Sequence, residues 1–319
     1  MAQAISCVAA HIAHEVAFSP DGKSVAITSG GNTVQLFDID SGAARWKSGR
    51  RWAPGDITEV AFSADGSLLS VASASSSVLD AGDCHVLMRR FASGGDQFGV
   101  STCISPDGRS LATVCGSKVK VDDARSGAKT LSFLHNAFCE CLRYSPDSTP
   151  IATLDRTTIG KDIRVWDAAS GQLQARLHVP AKTNQMQFGG CRHVLVTAAS
   201  DDSVIRVWDI AYGTETSQLD TAPGTEWLRL GDGCGRVAMT GCTDGTLRVW
   251  DVTTGQERTR LPTPQGCRHG AVNSDATKLA TCNSTKSVEI WSIAGGPQQQ
   301  PAPDAAAPDD WCYWCGLIR

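Results

Sequence analysis

The sequence predicts an all-β fold built from seven copies of one four-stranded unit, and three observations indicate this. The word IRVWD stands at residues 163–167 and again at 205–209, and LRVWD follows at 247–251, so the period is 42 residues. Each word ends a short run rich in β-branched and apolar residues, as a strand does. Turn sequences of the types SPDG and DxxSG separate the runs. A fixed period of this length is typical of a repeat architecture.

Each unit is predicted to hold four strands in the same order. The first run precedes an SPDG-type turn, a second run such as SVAITS follows, a third run ends in Trp or Phe, and a DxxSG or DxxTG turn leads to the fourth. The repeats are recognised from Val16, Val60, Cys103, Leu142 and Val272 in units one to four and seven, and the recognisable parts of the fifth and sixth units begin at Val194 and Arg236. In the second unit we assign the third run to VLMRRFASG at 86–94, which makes residues 73–85 a long connection.

This pattern resembles WD40 repeats over roughly residues 3–293. The resemblance implies a seven-bladed β-propeller with one blade per repeat, in which the recurring Trp packs between blades. Its structural repeat residues would be Phe37, Asp38, His135, Trp166, Asp167, Asp202, Trp208, Asp209, Asp244, Trp250, Asp251 and Trp291. The sequence departs from the family pattern in its first three units, where Phe37, Arg89 and Asp122 take the place of the Trp.

The count of strands predicts how the ring closes and where the domain ends. The seventh unit ends its third run at Trp291, whereas QAISCVA at 3–9 is a spare run before the first unit. We expect this N-terminal run to form the outer strand of the last blade, which removes an exposed sheet edge. The predicted organisation is a propeller at 1–293, a flexible Pro/Gln/Ala-rich linker at 294–310 and an apolar C-terminal segment at 311–319.

The C-terminal segment, WCYWCGLIR, admits several interpretations. Cys312 and Cys315 have the spacing of half a zinc site, but no second close Cys/His pair is evident. Cys315 lies one residue too far from the end for a prenylation box. The segment could also be a disordered end without a role. We favour a short linear anchor that docks on a partner or on the propeller itself, because so much apolar surface is unfavourable in water.

Composition and motifs predict a protein without catalytic chemistry. No nucleophile–base pair and no metal triad is apparent, so we expect neither catalytic residues nor a cofactor or metal. The net charge of −4 and the lack of a long apolar run disfavour nucleic acid and membranes as partners. The start of the chain does not resemble a signal peptide. Thirteen cysteines, an odd number, indicate free thiols in a reducing compartment. We therefore expect a cytoplasmic protein, with the nucleus as a second compartment.

The resemblance implies a non-catalytic scaffold or adaptor subunit, a monomeric propeller that binds proteins within a larger assembly. A reader of a modified or linear peptide is the alternative, and an enzyme that uses the central channel is a third hypothesis. The sequence does not name the partner. Within a blade, the connections between the second and third strands and from the fourth strand to the next blade share one face, the top face. The SPDG and DxxSG turns share the opposite face, the bottom face.

Irregular connections place the candidate binding site on the top face. Residues 73–85 and 154–162 are the enlarged connections, and loops on a rigid frame often carry recognition. An Arg-Arg-Trp cluster has the composition of an interface hot spot, although Trp52 could instead cap its neighbouring blade. The positive residues suggest an acidic patch on the partner. The candidate partner-binding residues are Arg50, Arg51, Trp52, Arg156, Lys161, Lys182, Trp227, Arg229 and Arg268.

Overall fold

A computed structural model of the chain confirms an all-β architecture of seven four-stranded antiparallel sheets. Within the described residues, the chain forms no helix of a length and apolarity that could cross a bilayer. The structure describes residues 4–8, 13–29, 33–48, 57, 59–73, 75–91, 101–135, 137–155, 160–199, 203–221, 224–231, 236–263, 267, 269–273, 275–282 and 287–293. The predicted linker at 294–310 and the apolar segment at 311–319 lie outside them.

Each blade takes its strands from one sequence repeat. The first strand of the chain is β1 (Ala4–Val8), and blade 1 holds β2 (Ala13–Phe18), β3 (Ser24–Ser29), β4 (Thr33–Asp38) and β5 (Ala44–Lys47). Blade 2 holds β6 (Glu59–Phe62), β7 (Leu68–Ala72), β8 (Ser75–Asp80) and β9 (Val86–Phe91). Blade 3 holds β10 (Ser101–Ile104), β11 (Ser110–Cys115), β12 (Lys118–Asp123) and β13 (Lys129–Leu134). Blade 4 holds β14 (Cys139–Tyr144), β15 (Pro150–Asp155), β16 (Lys161–Asp167) and β17 (Leu173–Val179).

The last three blades follow the same order. Blade 5 holds β18 (Gln185–Phe188), β19 (Val194–Ala198), β20 (Val204–Asp209) and β21 (Thr214–Asp220). Blade 6 holds β22 (Thr225–Leu230), β23 (Val237–Cys242), β24 (Thr246–Asp251) and β25 (Gln256–Pro262). Blade 7 holds β26 (His269–Val272), β27 (Lys278–Cys282) and β28 (Ser287–Ser292).

The ring closes through the N-terminal strand, as predicted. Strand β1 pairs antiparallel with β28 in a register that runs from Ala4 opposite Trp291 to Val8 opposite Ser287. The sheet of blade 7 therefore has the order β1-β28-β27-β26, and its outer strand comes from the opposite end of the chain. This pairing covers the edge that β28 would otherwise present to solvent.

The core of the protein lies between blades. The buried apolar residues of the described chain fall into seven clusters, each of which combines side chains from two neighbouring blades. Trp208 of blade 5, for example, packs with Leu154 and Ile163 of blade 4. Because a flat sheet cannot bury both faces alone, stacking around the ring is what removes this apolar surface from water.

The third strand of blade 2 differs from our prediction. The serine-rich run 75–80 forms β8, so residues 73–85 are not an enlarged connection. The residue that follows the strand's register shift, which is Trp166 in blade 4, is Leu79 in blade 2. Arg89 lies in the fourth strand, β9. Ser75, Ser76 and Ser77 are each about 1% exposed, and Ser76 takes the buried position that Val34 and Ile163 occupy in blades 1 and 4.

The enlarged connection predicted at 154–162 is shorter than expected. Leu154 and Asp155 belong to β15, and Lys161 and Asp162 belong to β16, which leaves residues 156–160 between the strands. The corresponding connection of blade 5 has the same length, 199–203. Blade 4 is therefore not set apart from its neighbours by the length of this connection.

Candidate functional site

The bottom face consists of turns that satisfy their own polar groups. In blades 1 to 4 a serine hydroxyl donates to the aspartate two residues later, and the oxygen–oxygen distances are 2.5 to 2.6 Å. Hydrogen bonds from Ser63 and Ser67 outweigh the opposing effect of burial and hold the pKa of Asp65 below its usual value. The turns between the third and fourth strands repeat this pattern, as where Ser170 Oγ donates to Asp167 Oδ1 at 2.7 Å. Such turns are regular because each aspartate fixes its own loop.

The top face differs from the bottom face where blade 3 passes to blade 4. Leu134, the last residue of β13, is 61% exposed, and Phe138, just before β14, is 53% exposed. Between them His135 is fully buried. Our candidate residues did not include this apolar pair, although the run LHNAF at 134–138 shows two large apolar residues in a connection.

His135 anchors the connection that carries this apolar pair. Its Nδ1 lies 3.1 Å from the carbonyl oxygen of Ala137, so this nitrogen donates the hydrogen bond. Its Nε2 lies 3.3 Å from Asp155 Oδ1 and 3.3 Å from Arg164 Nη1. Burial, with help from the Arg164 charge, lowers the pKa of His135 to about 4. The imidazole is therefore neutral at pH 7, and Arg164 donates to Asp155 at 2.6 Å.

A second set of charges lies beside this network in blade 4. Asp162 is buried and accepts hydrogen bonds from Arg176 of β17. His178 Nδ1 approaches the other oxygen of Asp162 at 3.1 Å. Burial alone would raise the pKa of Asp162, but these hydrogen bonds and the nearby Arg164 charge hold it below its usual value. The carboxylate is therefore ionised and fixes the top end of β16 to β17.

The candidate residue Lys161 is buried, not exposed on the top face. Its ammonium group donates to Glu140 Oε2 at 2.5 Å and to the carbonyl oxygen of Thr183 at 2.6 Å. These contacts tie β16 to β14 and to the connection from blade 4 to blade 5. Lys182, one residue before Thr183, is exposed on the top face. Of these two lysines, only Lys182 is presented to solvent on that face.

The remaining candidate residues are spread over different places. Trp227 is half-buried in β22, where it packs against the cluster between blades 6 and 7. Arg229 lies near the bottom end of the same strand and lines the central channel. The structure therefore does not gather these two residues with Lys182 on the top face. Arg50, Arg51, Trp52, Arg156 and Arg268 lie outside the described residues.

The repeat tryptophans share one hydrogen bond. In blades 4 to 7 the indole Nε1 donates to a threonine of the second strand of the same blade, and the distances are 2.8 to 3.2 Å. The four pairs are Trp166 with Thr153, Trp208 with Thr197, Trp250 with Thr240, and Trp291 with Thr281. Phe37 occupies the same position in blade 1 and is buried.

The repeat aspartates hold the turns that follow the third strands. Asp38, Asp167 and Asp209 each accept a hydrogen bond from a backbone N–H two or three residues later, and Asp251 does the same while pairing with Arg258. Asp244 sits in the turn before β24, where its carboxylate accepts from Thr246 and Arg248. Asp202 lies outside the described residues.

The central channel is a cavity of about 730 Å³ lined by the innermost strands. Glu59 and Arg143 form an ion pair of 2.6 Å in it, and Ser101 Oγ donates to the same carboxylate at 3.0 Å. Burial raises the pKa of Cys141 to about 12 and also raises that of Cys103. These thiols are protonated at pH 7, so they are poor nucleophiles and poor metal ligands. Among the described residues, no three His, Cys, Asp or Glu side chains form a group that could hold a metal.

Comparison with known proteins agrees with the fold. The family model for the WD domain, G-beta repeat, matches residues 231–251, which include the third strand of blade 6. Telomerase protein component 1 of Rattus norvegicus is 29% identical over 142 residues, and the protein of that name from Mus musculus is 28% identical over 142 residues. In both cases the match covers 43% of this chain and 5% of the relative. The chain thus spans only a small part of the length of these curated relatives. With seven blades that repeat one strand pattern, the chain is a WD40-repeat protein with a seven-bladed β-propeller fold.

Proposed function

We propose that this propeller is a non-catalytic scaffold or adaptor subunit of a larger assembly and that it binds protein partners through its top face. WD40 propellers in general bind proteins. The name of the matched relatives describes them as components of an assembly, which is consistent with a subunit role for this chain. The proposal includes a cytoplasmic or nuclear location, since that is where thirteen cysteines without an evident disulfide framework fit best.

The exposed pair Leu134 and Phe138 is the observation that carries this proposal. Two large apolar side chains stand more than half exposed on one connection, and the buried His135 between them fixes that connection to the blade. Apolar and aromatic side chains held on a rigid frame are the usual centre of a protein interface. A connection held in place also loses little conformational freedom when it binds.

Charged groups around this pair supply a polar rim. Lys182 is exposed on the next connection of the top face, and Arg176 and His178 are exposed on the outer strand of blade 4. Asp162 and Glu140 balance part of this positive charge from within the blade. An acidic or neutral partner surface suits this arrangement better than a basic one, because like charges at a rim slow association.

The experiment compares two faces of one folded protein. The double variant Leu134→Asp, Phe138→Asp removes the apolar pair on the top face, and Tyr212→Asp removes a side chain that is 79% exposed on the bottom face. We expect capture of the partners from native lysate to fall at least tenfold for the first variant and to be unchanged for the second. Both should unfold within about 2 °C of the unchanged protein, since surface substitutions cost little stability.

A separate variant tests the predicted hot spot at 51 and 52. If Arg51→Ala, Trp52→Ala folds and loses the same partners, the interface extends from blade 4 across to the connection between blades 1 and 2. If it unfolds, Trp52 is a packing residue. Normal capture by the Leu134 and Phe138 double variant would contradict the proposal that this part of the top face binds partners.

A further inference from the structure

A small cavity opens on the bottom face between blades 3 and 4, away from the proposed interface. Its volume is about 180 Å³. Since a water molecule takes about 30 Å³ of liquid, the cavity has room for about six waters or for the end of one long side chain. It is lined by Ser105, Asp107, Ser110, Tyr144, Ser148, Ala168 and Ala169.

Tyr144 stands out from the repeat that contains it. It is the last residue of the innermost strand, and the other six blades have an apolar side chain at that place. These residues are Phe18, Phe62, Ile104, Phe188, Leu230 and Val272. Blade 4 alone therefore carries a hydroxyl group at a position that six neighbours keep apolar.

The hydroxyl of Tyr144 is buried without a hydrogen bond. The residue is only 7% exposed, and its oxygen has no partner of acceptable geometry among the described residues. The Ser110 side chain lies close enough to lower the pKa of the hydroxyl as a weak hydrogen-bond partner would, but the geometry of the pair is not that of a hydrogen bond. Burial is the main cause that raises the pKa of Tyr144, so the group is an uncharged phenol. A buried hydroxyl without a partner is unfavourable, and such groups in native structures call for an explanation.

A second departure from the repeat meets the first in the same cavity. The turn after β14 has Ser148 in the left-handed region at φ 64°, where blades 1, 2 and 3 have glycine. A residue with a Cβ costs energy in that conformation. Ser148 Oγ accepts a hydrogen bond from the backbone N–H of Asp107 at 3.1 Å and so joins the turns of blades 3 and 4 at the cavity wall.

The lining groups define the chemistry of the occupant. They are hydroxyl oxygens and the carboxylate of Asp107, and no cationic side chain is among them. Asp107 Oδ1 already accepts from Ser105 Oγ and from the N–H of Arg109, whereas no described residue donates to Oδ2. A negatively charged site with oxygen atoms still able to accept hydrogen bonds suits a cationic group that donates them. A single small ion would leave most of the volume unfilled, and only one carboxylate is present to hold it.

We propose that this cavity binds the cationic end of a lysine or arginine side chain that a partner protein inserts from the bottom face. The ammonium or guanidinium group would donate to Tyr144 Oη and to Asp107 Oδ2. This inference rests on the proposed scaffold function and adds a second contact on the face opposite Leu134 and Phe138. One side chain in one pocket would fix a partner's register more than it would add to its affinity.

The first test uses small probes that need no partner. N-acetyl-L-arginine amide and N-acetyl-L-lysine amide are titrated against the full chain by ligand-observed NMR, with N-acetyl-L-citrulline amide as the neutral control. We expect dissociation constants in the millimolar range for at least one cationic probe and at least tenfold weaker binding of citrulline amide. Equal binding of the neutral probe, or no binding of either cation, would overturn the proposal. If millimolar potassium chloride displaces the cationic probe and the same concentration of sodium chloride does not, the cavity is a site for a small ion, and this result would also overturn the proposal.

Two variants locate the site. Tyr144→Phe should weaken the cationic probe about tenfold, because one hydrogen bond to a charged group is lost. Its fold should survive, since blades 1, 2 and 5 carry Phe at this place. Asp107→Asn should abolish the preference for the cation. Asp65→Asn is the matched control, because Asp65 makes the same serine hydrogen bond in the turn of blade 2. Unchanged binding by Tyr144→Phe or by Asp107→Asn would refute the assignment.

The same variants separate this inference from the proposed function. If Tyr144→Phe loses the probe but the Leu134 and Phe138 double variant captures every partner, the cavity is real and the top-face proposal is wrong. If the cavity variants bind the probes normally while the top-face variant loses its partners, the inference fails and the scaffold proposal stands.

Discussion

Ring closure by the N-terminal strand is open to a direct test. Removing residues 1–10 takes away β1, which pairs with β28 at five residue positions. The deletion exposes the backbone edge of β28, and we expect it to uncover part of Val288 and Ile290, which are at most 2% exposed in the closed ring. The ring would then be open at one blade.

The size of the effect follows from that pairing. Five strand hydrogen bonds at about 1 kcal/mol net each amount to about 5 kcal/mol. Half uncovering two β-branched side chains adds about 3 kcal/mol. Freeing five backbone residues returns about 5 kcal/mol of conformational entropy. The truncated protein should be less stable by about 3 kcal/mol, which corresponds to a melting temperature lower by about 6–12 °C.

The assay is thermal unfolding followed by circular dichroism, together with light scattering to detect edge-to-edge association. Tyr212→Asp, which changes a side chain that is 79% exposed on a turn of blade 5, is the control and should leave the melting temperature within about 2 °C. A synthetic peptide of residues 1–10, added at millimolar concentration, should restore part of the lost stability. An unchanged melting temperature for the N-terminal truncation would show that β1 does not close the ring.

Three further predictions test individual blades. Ser76→Glu should prevent folding or lower the melting temperature by more than 10 °C, because a charge would be buried against Thr113 of blade 3. Ser217→Glu on an exposed strand should be tolerated, and equal tolerance of both variants would mean that 75–80 is a loop after all. Thr197→Val keeps the side-chain volume but leaves the buried Trp208 N–H unpaired, so chemical denaturation should show a loss of about 1–3 kcal/mol, and no loss would argue against the hydrogen bond. Burial is the main cause that lowers the pKa of His135 from 6.5 to about 4, so as the pH falls the unfolded chain takes up a proton at this residue before the folded protein does. The free energy of unfolding should therefore fall by about 1.4 kcal/mol for each pH unit from 6.5 down to about 4. In His135→Gln the free energy of unfolding should change less between pH 7 and 5.5, and an equal pH dependence in both proteins would contradict the assignment.

The repeat could be predicted from sequence in the blades where a large aromatic residue marks its phase. Trp166 and Trp208 stand at the same point of the third strand, where the register shifts by one residue. In blade 2 that point is Leu79, two residues after three consecutive serines. Serine is typical of turns, and only the position between two blades buries it here. The prediction from sequence therefore missed the serine-rich third strand of blade 2 and assigned VLMRRF, which is the fourth and outer strand, in its place.

The candidate site was less predictable because exposure depends on neighbours that lie far away in sequence. Lys161 is a charged residue of a kind common in loops, yet its ammonium group is buried because it donates to Glu140 and to the Thr183 carbonyl oxygen. Leu134 and Phe138 are of the kind usually assigned to a core, but each is more than half exposed. The net charge, by contrast, depends on composition alone.

The central claim is that partners bind this ring from its top face, and cross-linking mass spectrometry of the captured assembly tests it most directly. Exposed lysines report on both faces: Lys118 and Lys182 lie on the top face, and Lys23 and Lys129 lie on the bottom face. With a lysine-reactive cross-linker, we expect links to partner proteins mainly from Lys118 and Lys182, and loss of these links in the Leu134→Asp, Phe138→Asp variant. Links that come mainly from Lys23 and Lys129, and that persist in this variant, would contradict the claim.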